Sequence, residues 1–144
     1  NNVLDYDPEK KERDFQALFV LATRDIMIKI VLADDVVENT EVEQTIKAFE
    51  SITKRNISHQ QLLDAIENLK NDNTNIEKYA VSIAPYLNDV GKEMVLRGAI
   101  SVSKSDGQIQ GEELEMLHVL SLALDLPRAY ANGIFQEENI ELLK

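Results

Sequence analysis

The sequence DGQIQGEE at residues 106–113 has an earlier counterpart in the sequence DDVVENTE at residues 34–41. The two stretches are 72 positions apart and match in register, so that Asp34 falls on Asp106. Each stretch follows one apolar helical run and precedes another. A repeat of this kind predicts that two similar corners, each a helix–acidic turn–helix unit, are built into one fold.

The composition indicates a helical protein of one domain. A chain of 144 residues is long enough to bury an apolar core without disulfides or metal, and 44% of its residues are hydrophobic. Only 6% are aromatic and none is Trp, so Leu, Ile, Val and Ala must fill the core. Five Gly and three Pro are too few for a sheet-rich fold with many turns. We therefore expect an all-α fold, with residues 1–144 forming a single compact domain.

Several function classes and compartments are constrained by what the sequence lacks. The absence of Cys excludes disulfides, thiolate metal sites and a Cys nucleophile. No run of about 18 apolar residues and no signal-peptide pattern is present, so we expect no direct membrane insertion by this chain and a cytoplasmic location. The first residue is Asn rather than Met, which is compatible with a domain excised from a longer protein.

The negative charge is concentrated in the two acidic stretches and the helices that they open. The net charge of −11 argues against nucleic acid as a direct partner. Residues 34–50 contain six acidic residues and one Lys, and residues 106–115 contain four acidic residues and no basic one, so together they hold −9 of the −11. Like charges brought together lower stability unless a cation or a basic group compensates them. This concentration is the physical argument for a binding site.

Apolar residues at helical spacing predict about seven helices. The first begins at Asp7-Pro8 and runs to Asp34, with an interruption near Thr23 left open. The fifth begins at Asn88 or Asp89, and a short seventh follows Leu126-Pro127. Capping signals at three other helix starts are Thr40 with Glu43, Ser58 with Gln61, and Thr74 with Glu77.

The two acidic corners resemble those of the TerB-like family. The residues that carry the resemblance are Ala33-Asp34-Asp35-x-Val37 with Glu41, and Ser105-Asp106-Gly107-x-Ile109 with Glu113, set within the helical pattern of residues 12–135. The family is named for the tellurite-resistance protein TerB, and it also includes an N-terminal domain of a membrane-anchored J-domain co-chaperone. The sequence departs from the family at Asp35, where Gly is usual, so the first corner is expected to differ in shape.

The resemblance implies a TerB-like helical bundle with a clustered acidic surface that binds a divalent metal such as calcium. It also implies a link to tellurite or stress response and to membrane-linked assemblies, without enzymatic activity. We therefore expect a non-enzymatic interaction module whose partners are other proteins, membrane-associated ones included.

The acidic residues of the two turns are the candidate metal ligands. An EF-hand loop is excluded, because its first and third ligand positions in the second turn would fall on Val102 and Lys104. A shared metal would need the two turns to face each other. The first candidates are Asp34, Glu41, Asp106 and Glu113, followed by Asp35, Glu38 and Glu112. Oxygen ligands without Cys favour Ca²⁺ or Mg²⁺ over zinc, and nothing indicates an organic cofactor.

The acidic side chains of the two turns also suit roles other than metal binding. Acidic residues are favoured in the first turn of a helix by capping and by the helix dipole alone. The same residues could also form a docking surface for a basic protein segment, hold Mg²⁺ in a metal-dependent hydrolase, or be incidental in a purely structural domain that tethers or dimerises a larger protein. Neither histidine indicates catalysis: we expect His59 at the surface, and His118, in the middle of a helix, at the boundary between core and surface.

Overall fold

Helices account for the regular structure of the chain. The computed structural model describes residues 8–33, 37–104, 109 and 111–140, and within these ranges it contains seven α-helices, one short 3₁₀ helix and no strand. The α-helices are α1 (Pro8–Leu32), α2 (Asn39–Thr53), α3 (His59–Lys70), α4 (Ile76–Ile83), α5 (Asp89–Ser103), α6 (Gly111–Ala123) and α7 (Arg128–Glu137). The 3₁₀ helix spans Ala84–Tyr86 and contains Pro85. The prediction of an all-α bundle of about seven helices is confirmed.

Helix α1 is the central helix of the bundle over its second half only. Residues 8–17 are exposed, whereas most residues from Ala22 to Val31 are buried. A helix that is buried on all sides needs apolar residues around its whole circumference, and Ile26, Met27 and Ile28 supply them on consecutive positions. The second half of α1 is therefore the element around which the other helices pack.

Two apolar clusters meet at α1. The larger cluster takes buried side chains from α1, α2, α4, α5, α6 and α7, including Phe135, Leu96 and Leu120. The smaller cluster joins α1, α2 and α3 through Ile28, Val42 and Leu62. Because the second half of α1 contributes to both clusters, it connects the N-terminal three helices to the rest of the core.

The structure differs from the predicted capping residues at the starts of α2 and α4. The expected capping pair Thr40 and Glu43 does not start α2, which begins at Asn39 with Glu38 as its N-cap residue, and the backbone N–H of Glu38 donates to Glu41 Oε1 at 3.1 Å. Likewise, Asn75 rather than Thr74 caps α4, because its side chain accepts the backbone N–H of Lys78 at 2.8 Å.

The other two helix starts follow the sequence signals. Ser58 Oγ accepts the backbone N–H of Gln61 at 3.0 Å, and Gln61 Oε1 accepts the backbone N–H of Ser58 at 2.8 Å. This reciprocal pair is the predicted capping box of α3. Asn88 caps α5 by accepting the backbone N–H of Gly91 at 2.7 Å.

Helix α1 is continuous through Thr23. The Thr23 hydroxyl donates to the carbonyl of Phe19 at 2.8 Å, a bond within the helix that leaves its backbone ladder intact. The interruption left open at this residue is therefore absent. Pro8 is the first helical residue, as predicted, while Asp7 lies outside the described residues.

Candidate functional site

Helices α1 and α5 run parallel, side by side. A Cβ at Gly98 of α5 would lie 2.7 Å from Met27 Cε and 3.7 Å from Thr23 Cγ2, both on α1. Nearer the start of both helices, Phe19 of α1 and Met94 of α5 line the same groove. Contacts thus advance in the same direction along the two helices, and α5 is the element on which α1 packs most extensively.

Because the two helices are parallel and in register, they end at the same end of the bundle. Met27 is five residues before Leu32, the last residue of α1, and Gly98 is five residues before Ser103, the last residue of α5. The two acidic turns follow these two helix ends directly. The two helix ends that precede the turns therefore lie at the same end of the bundle.

The apolar residue in each turn packs into the same core. Val37 in the first turn and Ile109 in the second are both half-buried against the larger apolar cluster. These two residues are equivalent in the repeat, 72 positions apart. The core therefore anchors both turns by corresponding side chains.

Two of the candidate carboxylates occupy equivalent places after the turns. Glu41 is the third residue of α2 and Glu113 is the third residue of α6, and both side chains are half-buried. Glu41 caps its helix through Glu38, as described above. Glu38 and Glu112 are exposed. The remaining candidates, Asp34, Asp35 and Asp106, lie outside the described residues.

The described carboxylates alone do not form a metal site. Within residues 8–33, 37–104, 109 and 111–140, no group of three or more His, Cys, Asp or Glu side chains is placed to hold a metal ion. One oxygen of Glu41 is also engaged in capping. A site at these turns would therefore require the aspartates that precede Val37 and Ile109.

The last lysine before each turn is bound to another part of the protein. Lys29 Nζ donates to the carbonyl of Thr74 at 2.7 Å and lies 3.6 Å from Asp72 Oδ2. Lys104 Nζ donates to the backbone carbonyl of Glu138 and lies 3.4 Å from its Oε1. Both cations are therefore directed to partners outside the acidic turns.

A polar network between α1 and α4 was missed by sequence reasoning. Asp25 is buried, yet its carboxylate accepts hydrogen bonds from Tyr79 Oη at 3.0 Å and from Arg24 Nε at 2.9 Å. Burial, together with the negative charge of Asp25, raises the pKa of the Tyr79 hydroxyl, so Tyr79 remains a donor. The sequence signal that could have indicated this network is Asp25, an acidic residue within a mostly apolar helical stretch. The network fixes α4 on α1.

A second network joins α5 to α7. Arg97 contacts three carboxylates, with Nε 2.9 Å from Glu93 Oε2, NH1 2.8 Å from Glu138 Oε2 and NH2 2.5 Å from Glu137 Oε2. Tyr130 Oη also donates to Glu93, and this bond, followed by the one from Arg97, lowers the pKa of the Glu93 carboxyl. The three carboxylates around Arg97 are thus organised for structure rather than for a ligand.

The two histidines do not form a catalytic pair. His59 is exposed in the first turn of α3, as predicted. His118 is buried rather than at a boundary, because its ring packs against Phe135 with a centroid separation of 4.2 Å. The prediction for His118 is wrong because α7 covers this face of α6, which periodicity within α6 alone does not indicate.

The described helices define an all-α module whose larger apolar cluster takes residues from α1, α2, α4, α5, α6 and α7. Comparison with known families gives the same result: the family model described as tellurite resistance protein TerB matches residues 8–134. The chain therefore belongs to the TerB family, and its family name links it to tellurite resistance. Searches among curated proteins and among solved structures found no match. Among the described helices, none combines the length and apolar character needed to cross a membrane.

Proposed function

We propose that this chain is a non-enzymatic interaction module in which the two acidic turns act as one anionic site for a divalent cation, Ca²⁺ or Mg²⁺. The observation that carries the proposal is the parallel packing of α1 on α5, which ends both helices at one end of the bundle. Two turns that together hold most of the net charge then start side by side. Other proteins, including membrane-associated ones, are the proposed partners of this surface.

Charge balance supports a cation at this end of the bundle. Carboxylates that lie close together repel one another, and the repulsion lowers stability unless positive charge is added. Lys29 and Lys104 are the nearest preceding basic residues, and both bind elsewhere. A bound divalent ion would supply the missing positive charge and would hold the two corners together.

A buried hydroxyl at the same end also favours a polar ligand. The Ser103 side chain is 1% exposed, and its Oγ has no hydrogen-bond partner among the described residues. A buried polar atom left without a partner costs about 1–3 kcal/mol. Ser103 ends α5 directly before the second turn, so a ligand or an ordered water there would offset this cost.

The proposed ligands are acidic side chains from both turns. Asp34, Glu41, Asp106 and Glu113 would bind the ion directly, and Asp35, Glu38 and Glu112 would supply further negative charge. Oxygen donors of this kind suit Ca²⁺ and Mg²⁺. Since the described carboxylates do not suffice, the proposal depends on Asp34 and Asp106.

A thermal melt of metal-stripped protein tests the proposal. Adding about 1 mM Ca²⁺ or Mg²⁺ should raise the melting temperature, because a ligand at about 100 times its Kd stabilises the folded state by about 2.7 kcal/mol. Asp34→Asn and Asp106→Asn should each reduce the response. Asp14→Asn is the matched control, since Asp14 is exposed in the first half of α1, far along the helix from Leu32.

Three results would contradict the proposal. A melt that metal does not change would leave the carboxylates as helix caps or as a charged surface. A metal response that Asp14→Asn reduces as much as Asp34→Asn would indicate general charge screening. Metal-dependent turnover of a phosphate ester such as p-nitrophenyl phosphate would replace the interaction module with a hydrolase.

A further inference from the structure

A groove of about 1030 Å³ runs between the first half of α1 and the α2–α3 connection, at a distance from the acidic turns along α1. We call it the α1–α3 groove. One wall is formed by α1 residues from Glu12 to Arg24, and the other by residues 55–57 and the exposed face of α3. Among the described residues of the acidic turns and of the polar networks at α4 and α7, only Arg24 lines this groove.

The floor of the α1–α3 groove is apolar. Phe49 and Ala65 are buried at its base, and Val20 and Ile57 are half-buried beside them. Leu21 projects into the groove and is 44% exposed, which is high for a large aliphatic side chain beside a core. A floor of this kind gains free energy when an apolar surface of a partner covers it.

The rim of the groove is basic, in contrast to the chain as a whole. Three guanidinium groups line it, those of Arg13, Arg24 and Arg55, against two carboxylates, those of Glu12 and Asp64. The formal charge of this lining is +1 in a protein whose net charge is −11, and because Arg24 is paired with Asp25, the positive charge open to a partner is that of Arg13 and Arg55. Local positive charge on an acidic protein selects an anionic partner.

The groove carboxylates are engaged, whereas two of the arginines are not. Glu12 accepts a hydrogen bond from Gln16 at 3.1 Å, and Asp64 accepts one from Gln60 at 2.8 Å. Within the described part of the chain, the guanidinium groups of Arg13 and Arg55 take part in no hydrogen bond or ion pair. Arg guanidinium groups match carboxylates in a bidentate geometry, so these two can bind a carboxylate-bearing partner.

We propose that the α1–α3 groove binds an acidic amphipathic helix of a partner protein. Apolar side chains on one face of that helix would cover Leu21 and the floor, and carboxylates on its flanks would pair with Arg13 and Arg55. A helix with apolar residues at i, i+3, i+4 and i+7 has the required stripe. A concave groove with two walls suits a helix better than the flat surface of an anionic membrane. An acidic turn of a second copy would bring carboxylates but no apolar stripe for the floor.

The test uses a fluorescein-labelled synthetic helix of about 16 residues, with Leu at i, i+3, i+4 and i+7 and Glu at most other positions. Fluorescence anisotropy with the full chain in about 0.1 M NaCl measures binding. We expect saturable binding that Arg13→Glu and Arg55→Glu each weaken at least about tenfold, the equivalent of losing one charged contact. The matched control is Lys78→Glu, which makes the same charge change on an exposed residue of α4 outside the groove and should leave binding within about twofold.

Other outcomes would overturn the proposal. The same helix with Lys in place of Glu should not bind. Equal binding of the two peptides would show that the groove does not select its ligand by charge. If Arg13→Glu, Arg55→Glu and the control Lys78→Glu all weaken binding of the Leu–Glu helix equally, the loss reflects the net charge of the protein and not the groove. If vesicles that contain anionic lipid bind the wild-type chain but not the Arg variants, the groove is a membrane-binding surface. If sedimentation shows that the wild type is a dimer and that Arg55→Glu dissociates it, the groove is a self-association surface. Arg13→Gln and Arg55→Gln provide milder variants if a reversal disturbs folding.

Discussion

Gly98 on α5 lies against Met27 on α1, and a Cβ at Gly98 would come within 2.7 Å of Met27 Cε. Met27 is fully buried, so its methyl group has little free space into which to move. We expect Gly98→Ala to lower the free energy of unfolding by up to about 2 kcal/mol, because overpacking costs about 1–3 kcal/mol and the better helix propensity of Ala returns about 1 kcal/mol. Urea denaturation monitored by circular dichroism measures the change.

Gly133→Ala is the control, because it makes the same substitution at a helical glycine that has no close neighbour comparable to Met27. Gly133 lies inside α7, and a Cβ there would meet nothing within 4 Å. Only the propensity gain then applies, so the variant should be more stable than wild type by up to about 1 kcal/mol. If both variants gain stability, close packing of α1 on α5 at Gly98 is not a requirement of the fold.

The hydroxyl of Tyr79 should matter more than that of Tyr130. Tyr79→Phe removes a donor from the buried carboxylate of Asp25 and should cost about 1.5–3 kcal/mol, the range for a hydrogen bond to a charged group. Tyr130→Phe removes a donor from Glu93, which is more exposed and keeps its pair with Arg97, so it should cost less than Tyr79→Phe. Thermal melts of the two variants compare them directly, and equal losses would contradict the role given to burial.

The Glu93 carboxyl should contribute to stability at neutral pH and lose that contribution in acid. Its pKa is lowered in the folded protein by the hydrogen bonds from Tyr130 and Arg97. A group whose folded pKa is below its unfolded pKa stabilises the protein above the unfolded value, about 4.3 for Glu, and the contribution disappears as pH falls through the folded value. The stability difference between wild type and Glu93→Gln should therefore shrink as pH falls below about 4.3.

Urea denaturation at a series of pH values measures this difference. Asp14→Asn is the control, because Asp14 is exposed in the first half of α1 and makes no hydrogen bond or ion pair within the described residues. A change with pH that both variants share would not come from the hydrogen bonds of Tyr130 and Arg97 to Glu93. A constant difference between wild type and Glu93→Gln across the series would contradict a lowered pKa at Glu93.

The observed caps predict which polar residue at a helix start contributes to stability. Ser58→Ala removes an acceptor for the Gln61 backbone N–H and should cost about 1 kcal/mol. Thr40→Ala should change stability by less than about 0.5 kcal/mol, because Thr40 is an exposed second residue of α2 and Ala is the better helix former. Thermal melts distinguish the two, and a large loss from Thr40→Ala would restore the capping pair first expected there.

Periodicity and turn residues predicted the helices because the helical faces are amphipathic and the breaks are polar. The capping box at Ser58 and the start at Asn88 followed from side chains that have one plausible helix to cap. The start of α2 was misplaced because several residues in Glu38–Glu43 can cap, and Glu38 rather than Thr40 holds the N-cap position. Helix α2 ends at Thr53 because Lys54 adopts a left-handed conformation with a φ of 58°, at a position where Gly is the usual signal.

Long-range contacts explain what the sequence could not indicate. The repeat predicted two corners, but the parallel register of α1 and α5, which brings the ends of these two helices to one end of the bundle, could not be read from either stretch alone. The pairing of Asp25 with Tyr79 joins residues 54 positions apart, and no local pattern specifies it. The basic groove was also missed, because Arg13 and Arg55 lie on different elements and look like ordinary surface residues when each is taken alone.

The distance along the chain between α1 and α5 has a consequence for the order of folding. Met27 and Gly98 are 71 positions apart, whereas the smaller apolar cluster needs only α1, α2 and α3. Closing the longer loop costs more chain entropy before its contacts form, so the N-terminal three helices should gather first and α5 should dock afterwards. Until α5 is synthesised, the face of α1 around Met27 stays open to solvent and to aggregation. Pulse-labelled hydrogen exchange during refolding should accordingly show amides of α3 protected no later than those of α5.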